Sequence, residues 1–201
     1  LPALKNNFVT FGCLNKLTKV NDEVIALWSK ILLSIPNSKL LLKSKDFDDQ
    51  IIIENTFERF KKCNIEKNRL VLQGKSSTRK EVLEVFNRID IALDPFPFQG
   101  CTCTCEAVWM GVPVIILKGN RNLFHAGESI NSNLGMHDWI AKNRDEYISK
   151  AVKFSSNLDH LSKIRMNLRQ TALKSSVFDA PRFAEHFSQM LWDMWKKFKD
   201  Q

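Results

Sequence analysis

Short apolar segments alternate with longer, helix-patterned ones along the first two thirds of this chain, and that alternation limits the fold more than any single residue does. Residues 8–11 are a β-branched and aromatic run ending at Gly12. Asn21 and Asp22 can then cap a helix over residues 23–35, whose buried stripe is Val24, Leu27, Trp28, Ile31 and Leu32 and whose stop is Pro36. The same grammar predicts strands at 39–43, 70–73, 89–93 and 113–117, and helices at 46–62, 77–88 and 102–110. Strands joined by helices of this length need right-handed crossovers, so the expected fold is α/β, a Rossmann-like doubly wound parallel sheet covered on both faces. Beyond Gly135 the pattern is helical, with helices at 143–155, 158–174 and 181–199. We therefore expect a Rossmann-like core over 1–140 and a helical C-terminal tail over 141–201 packed on the same domain.

The formal charge of +8 is spread evenly, with 16 basic and 12 acidic side chains in residues 1–100 and 14 and 10 in the remainder. Aromatics are not interleaved with Arg and Lys as on an RNA-recognition sheet, so a phosphorylated small ligand accounts for the excess better than nucleic acid does. Five cysteines, an odd number, come with no signal peptide and no 18-residue apolar run. A reducing, cytoplasmic setting is expected, with no membrane partner. The chain opens at Leu1 directly on strand-like sequence, as a segment of a longer protein would.

In open α/β sheets ligands bind beyond the carboxyl ends of the strands. The loop from Asp94 to Gly100 leads into a helix that begins Cys101-Thr-Cys-Thr-Cys-Glu106. Free N–H groups and the helix dipole make such a terminus a phosphate site, with Gly100 allowing close approach, Thr102 and Thr104 offering hydroxyls, and Glu106 placed to accept from a ribose diol. The same residues also suit an ordinary capped helix, with Thr102 as N-cap and Glu106 as a first-turn carboxylate. Cys101, Cys103 and Cys105 cannot converge on a metal, because helical residues two apart point about 200° from one another. Lys16 and Lys19, in the loop after the first strand, can reach the same crevice, where a fixed ammonium would stabilise a departing diphosphate; Lys43 and Lys45 are weaker candidates of the same kind. A third loop, 118–129, brings His125 and Ser129 towards the sugar or phosphate.

The ordered series Phe11-Gly-Cys-Leu-Asn-Lys-Leu-Thr-Lys19, Pro36-Asn-Ser-Lys-Leu-Leu-Leu-Lys-Ser-Lys45, Asp90-Ile-Ala-Leu-Asp-Pro-Phe-Pro-Phe-Gln-Gly100, Thr104-Cys-Glu-Ala-Val-Trp-Met-Gly-Val-Pro-Val114 and Ile140-Ala-Lys-Asn143 resembles the carboxy-terminal lobe of the O-GlcNAc transferase/SPINDLY glycosyltransferases, family 41. The resemblance implies a GT-B enzyme that moves a sugar to Ser/Thr hydroxyls of acceptor proteins, with a first lobe and tetratricopeptide repeats elsewhere in the parent chain. It implies no cofactor and no metal, the nucleotide sugar being the substrate. Carried over by position, Lys19 is the catalytic lysine on the donor pyrophosphate and Thr102 and Cys103 hold phosphates. Glu106 faces the ribose, while Asn15 and Lys16 lie among donor-contacting amides. Val82 stands where many relatives have a histidine against the nucleobase, Cys101 and Cys103 where His or Thr is common, and His125 where an arginine is frequent. UDP-GlcNAc is the expected donor; a GDP-fucose-using SPINDLY-like activity and a non-catalytic binding module are the alternatives. No general base is evident in the chain.

Overall fold

Three consecutive leucines between Lys39 and Lys43 are too short a run for a helix and apolar enough for a strand buried on both faces. The computed structural model, which describes residues 1–121 and 124–200, places them in the second strand of a six-stranded, wholly parallel sheet. The strands are β1 (Thr10–Cys13), β2 (Lys39–Lys43), β3 (Leu70–Gln73), β4 (Ile91–Leu93), β5 (Val114–Leu117) and β6 (Ile140–Ala141). Their order is β3-β2-β1-β4-β5-β6, the doubly wound order, and it reverses direction between β1 and β4.

The helices are α1 (Ala3–Asn6), α2 (Asp22–Ser34), α3 (Gln50–Lys61), α4 (Arg79–Glu84), α5 (Thr102–Trp109), α6 (Ala126–Asn133), α7 (Arg144–Ser156), α8 (Leu158–Leu173) and α9 (Ala180–Lys199). Period-two alternation sorts the strand residues between two cores. Leu40, Leu42, Ile91, Leu93 and Ile115 join Val24, Trp28 and Ile31 of α2 and Tyr147 of α7 on one face. Leu41, Ala92, Val114 and Ile116 join Val108 of α5, Ile130 of α6 and Leu168 of α8 on the other.

Several boundaries differ from the sequence reading. The chain opens on α1 instead of a strand, and β1 lies two residues later, because the buried Asp90 carboxylate accepts from the Ala3 and Thr10 amides and fixes where β1 begins. The helix expected at 77–88 closes as a 3-10 turn over Val85–Arg88, and β6 was not foreseen. Gly111 ends α5 at φ +72, where a side chain would also meet the Arg165 carbonyl of α8 at 2.8 Å.

The C-terminal third also departs from the expectation of a tail packed throughout on the domain. α7 and α8 bury Tyr147, Ala151, Phe154, Leu161, Leu168 and Ala172, whereas α9 buries no residue. Its Phe183, Trp192, Trp195 and Phe198 are all more than half exposed. No described helix is long and apolar enough to cross a membrane.

Candidate active site at the sheet switch point

The reversal of strand order leaves the loops after β1 and β4 side by side, and α5 starts above them. The β1 loop turns through a 3-10 segment, Leu17–Lys19, which swings the Lys19 side chain across the crevice. Its ammonium donates to Asn15 Oδ1 at 3.2 Å and to the Gln99 carbonyl of the β4 loop at 2.9 Å, and lies 4.4 Å from the centre of the Phe98 ring. A lysine has three donors, so one remains for a ligand. Lys19 is therefore held at the switch point and does not trail into solvent.

Gly100 is buried beneath this lysine, and its amide is shared by both oxygens of Asp94, at 2.9 and 3.0 Å. A methyl group here would stand 2.6 Å from Asp94 Oδ1 and 2.8 Å from Thr104 Oγ1, so the turn can pass over the carboxylate only as glycine. Asp94 is 2% exposed; burial pushes its carboxyl up to about 7 against the opposing pull of the Gly100 amide, the Lys19 ammonium and the Asn15 and Thr104 side chains. From behind, Trp28 donates to the Tyr147 hydroxyl, which donates to the Asp94 carbonyl at 3.0 Å, tying the site to α2 and α7.

Cys101 is the N-cap of α5, and its side chain makes no capping bond. The other helices of six residues or more are closed: Asn21, Asp49, Thr78, Asn143, Asn157 and Asp179 cap α2, α3, α4, α7, α8 and α9. Gln99 Oε1 takes the Gly127 and Glu128 amides of α6. Among the described residues, α5 is thus the long helix whose first amides meet no side-chain oxygen, and it is the one that faces Lys19. Cys101 and Thr102 are exposed at this terminus, while Cys103 is half-buried and donates to the Leu14 carbonyl at 3.3 Å. Thr104, read as a phosphate hydroxyl, is instead buried under the turn, because the helix phase turns it away from the mouth.

The remaining expected residues are placed less simply. Asn15 is buried and supports Lys19, while Lys16 is exposed on the same turn. Glu106 is nine-tenths buried, and its Oε1 forms an ion pair with Arg79 of α4, so part of its acceptor capacity is already engaged. Val82 is half-buried on α4. His125 is half-exposed at the start of α6, where its Nδ1 meets Glu128 Oε2 at 2.6 Å and Lys118 meets Glu128 Oε1 at 3.0 Å. Burial pushes the Glu128 carboxyl up, but His125 and Lys118 more than offset this and hold it below the usual range. Ser129 is exposed on α6, and Asn122 and Leu123 of the same loop lie outside the described residues. Lys43 is spent on the fold, donating to the Gly74 carbonyl at 2.5 Å.

Gln99 escaped the sequence reading although three loops meet on it. Its carbonyl holds Lys19, its Nε2 donates to the Leu117 carbonyl at 2.6 Å, and its Oε1 closes α6. Asp94, Tyr147 and Arg79 were missed in the same way, and a polar residue inside an apolar strand end, as Asp94 is, was the one visible signal. Among the described residues no group of three or more His, Cys, Asp or Glu is suited to hold a metal ion. Burial keeps Cys13 and Cys103 as thiols, pushing them up to about 12 and about 11.

The same fold is found in known proteins. The Arabidopsis thaliana protein described as a probable UDP-N-acetylglucosamine–peptide N-acetylglucosaminyltransferase SPINDLY is 36% identical over 197 residues, 98% of this chain but 22% of its own length. A solved Thermobaculum terrenum O-GlcNAc transferase mutant superposes with a TM-score of 0.84 at 32% identity, over 94% of this chain and 36% of that one. An Anabaena HepE structure in complex with UDP and glucose shares the fold, at TM-score 0.66 and 14% identity, over 93% of this chain and 49% of that one. This chain thus spans about a fifth of the length of the curated relatives it matches. The sequence profile of glycosyl transferase family 41 matches residues 2–187, and the chain belongs to that family.

Proposed function

We propose that this chain is the donor-binding lobe of a protein O-glycosyltransferase, in which a nucleoside diphosphate sugar is held at the first turn of α5 opposite Lys19. The observation that carries the reading is the pairing of these two features at one switch point: an uncapped helix terminus and a lysine with a donor to spare. Breaking the glycosidic bond leaves the diphosphate with an added negative charge. The Lys19 ammonium and the amides of residues 102–104 are already aimed at the place where that charge develops, so they stabilise the transition state without reorganising. Cys101 and Thr102 line the mouth, and Glu106, steadied by Arg79, accepts from the ribose with its remaining oxygen. His125 borders the crevice from the β5 side.

The family and its relatives support transfer of a sugar to a peptide acceptor; we read the acceptor as a Ser/Thr hydroxyl, the transfer as inverting at the sugar carbon, and the base that activates the hydroxyl as supplied from outside this chain. UDP-GlcNAc is the donor we favour, on the names of the SPINDLY and O-GlcNAc transferase relatives; GDP-fucose is the alternative. Calorimetric titration with UDP, UDP-GlcNAc, GDP and GDP-fucose tests both points. The tighter nucleotide identifies the donor, and Lys19→Ala should weaken it by roughly 10- to 100-fold, the usual worth of a hydrogen bond to a charged group. Failure of all four to bind would remove the donor reading. Unchanged affinity in Lys19→Ala would remove the role given to that lysine.

A further inference from the structure

Asp94 is a buried carboxylate at the centre of the crevice that the transfer chemistry above leaves without a task. It lies directly under the Gly100 turn, its two oxygens shared by one amide, with its charge facing Lys19 across the β1 loop. The Thr104 hydroxyl, buried and with no partner elsewhere, borders the same turn and favours the charged form of Asp94. Every cation near Asp94 that favours its charged form is thus the same ammonium a diphosphate would claim.

From this shared cation we infer that gripping a nucleoside diphosphate at the α5 terminus drives a proton onto Asp94, which makes this residue the proton-linked positioning group of the donor turn. The inference rests on the donor reading above. A bound diphosphate places two negative charges on Lys19 and the neighbouring amides, within a few residues of a carboxylate that is 2% exposed and therefore weakly screened. Asp94 cannot swing away, since Gly100 sits on it and a side chain added at Gly127 of α6 would come within 3.1 Å of its Oδ2. Taking a proton from solvent removes the repulsion. The neutral acid keeps one oxygen for the Gly100 amide and gains an O–H, and the Thr104 hydroxyl beside it, which favours the charged form by donating, can turn to accept from that O–H.

The thiols and the phenol facing Asp94 stay protonated in this range. Cys13 on β1 is pushed up to about 12 and Cys103 on α5 to about 11, while Tyr147 on α7 stands well above its ordinary value, each through burial. Lys19 is the countercharge from the β1 loop, and the ionisable side chains that open α6, His125 and Glu128, are paired with each other. Asp94 itself, raised by burial to about 7, is poised where a modest added field changes its state.

Titrating the 201-residue chain with UDP-GlcNAc and with GDP-fucose in buffers of different ionisation heat, from pH 6 to 8.5, counts the protons exchanged per ligand. The diphosphate of a nucleotide sugar has no proton to lose in this range, so any exchange belongs to the protein. We expect uptake of about half a proton at pH 7, rising towards one by pH 8, with affinity falling by up to about tenfold per pH unit there. Asp94→Asn should bind with neither the uptake nor the slope. Binding by the wild type without uptake, or the same uptake in Asp94→Asn, would overturn the inference while leaving the donor reading intact. Should Asp94→Asn not fold, the wild-type profile decides, because proton release, or uptake confined below pH 6.5, contradicts it. If neither nucleotide sugar binds, the donor reading fails and this inference with it.

Discussion

At the residue scale the site turns on Gly100 and the carboxylate beneath it. Gly100 is pressed between Asp94, Thr104 and Asn15, so Gly100→Ala should cost about 1–3 kcal/mol in chemical denaturation through overpacking, and should weaken nucleotide binding as the turn lifts. An unchanged denaturation midpoint would mean the turn is looser than its contacts indicate. Asp94 makes a pH prediction of its own. Its folded-state value, about 7, lies above the 3.8 of an ordinary aspartate, so the fold keeps a proton that the unfolded chain has released. The stability this confers is complete below about pH 4 and is lost as pH rises through 7. Asp94→Asn cannot lose it, so the stability of the variant relative to wild type should improve steadily from pH 5 to pH 7 in urea titrations and level off above. A constant difference across that range would show that the carboxyl titrates normally.

At the element scale, much of the architecture was legible because strand and helix periods differ. The leucines of β2 and the stripe Val24, Leu27, Trp28, Ile31, Leu32 of α2 fall where they were expected, and all are buried. β6 was not legible, since two residues are too few to show alternation, and it exists because Ile140 and Ala141 pair with Ile116 and Leu117. The site divides along the same line. Lys19 and the α5 terminus were readable because glycine, hydroxyl and lysine residues at strand ends are local signals. Gln99, Tyr147 and Arg79 were not, because each acts through partners far along the chain, as Tyr147 does on Asp94. The open terminus of α5 gives this scale its prediction. Cys101→Asp supplies an N-cap carboxylate, which satisfies a first-turn amide and adds a negative charge to the helix start. Thermal melting should show no loss of stability, and nucleotide affinity should fall at least about tenfold, the exchange expected where a cap and a phosphate compete for the same amides. Full retention of affinity in this variant would place the phosphates elsewhere.

At the scale of the whole molecule, the sheet and its two helical layers account for the buried core, and α9 stands apart from it. An amphipathic helix of 20 residues with no buried side chain presents Phe183, Phe187, Met190, Leu191, Met194, Trp195 and Phe198 to solvent. A continuous apolar face of that size drives association in water. The 201-residue chain should therefore bind a hydrophobic dye and self-associate in light scattering. A version ending at Phe178, which keeps the Phe178 contact with Trp109, should lose both behaviours while melting within a few degrees of the original. A large drop in melting temperature on truncation would mean that α9 contributes to the core after all.

The central claim is that a diphosphate sits between Lys19 and the first turn of α5. Amide and lysine ammonium NMR signals followed during addition of UDP or GDP, whichever binds, address it residue by residue. The account predicts the largest shifts at the amides of Thr102, Cys103 and Thr104 and at the Lys19 ammonium, with little change at the capped termini of α2 and α7. Saturable shifts centred on any other helix start, with residues 102–104 and Lys19 unmoved, would contradict it.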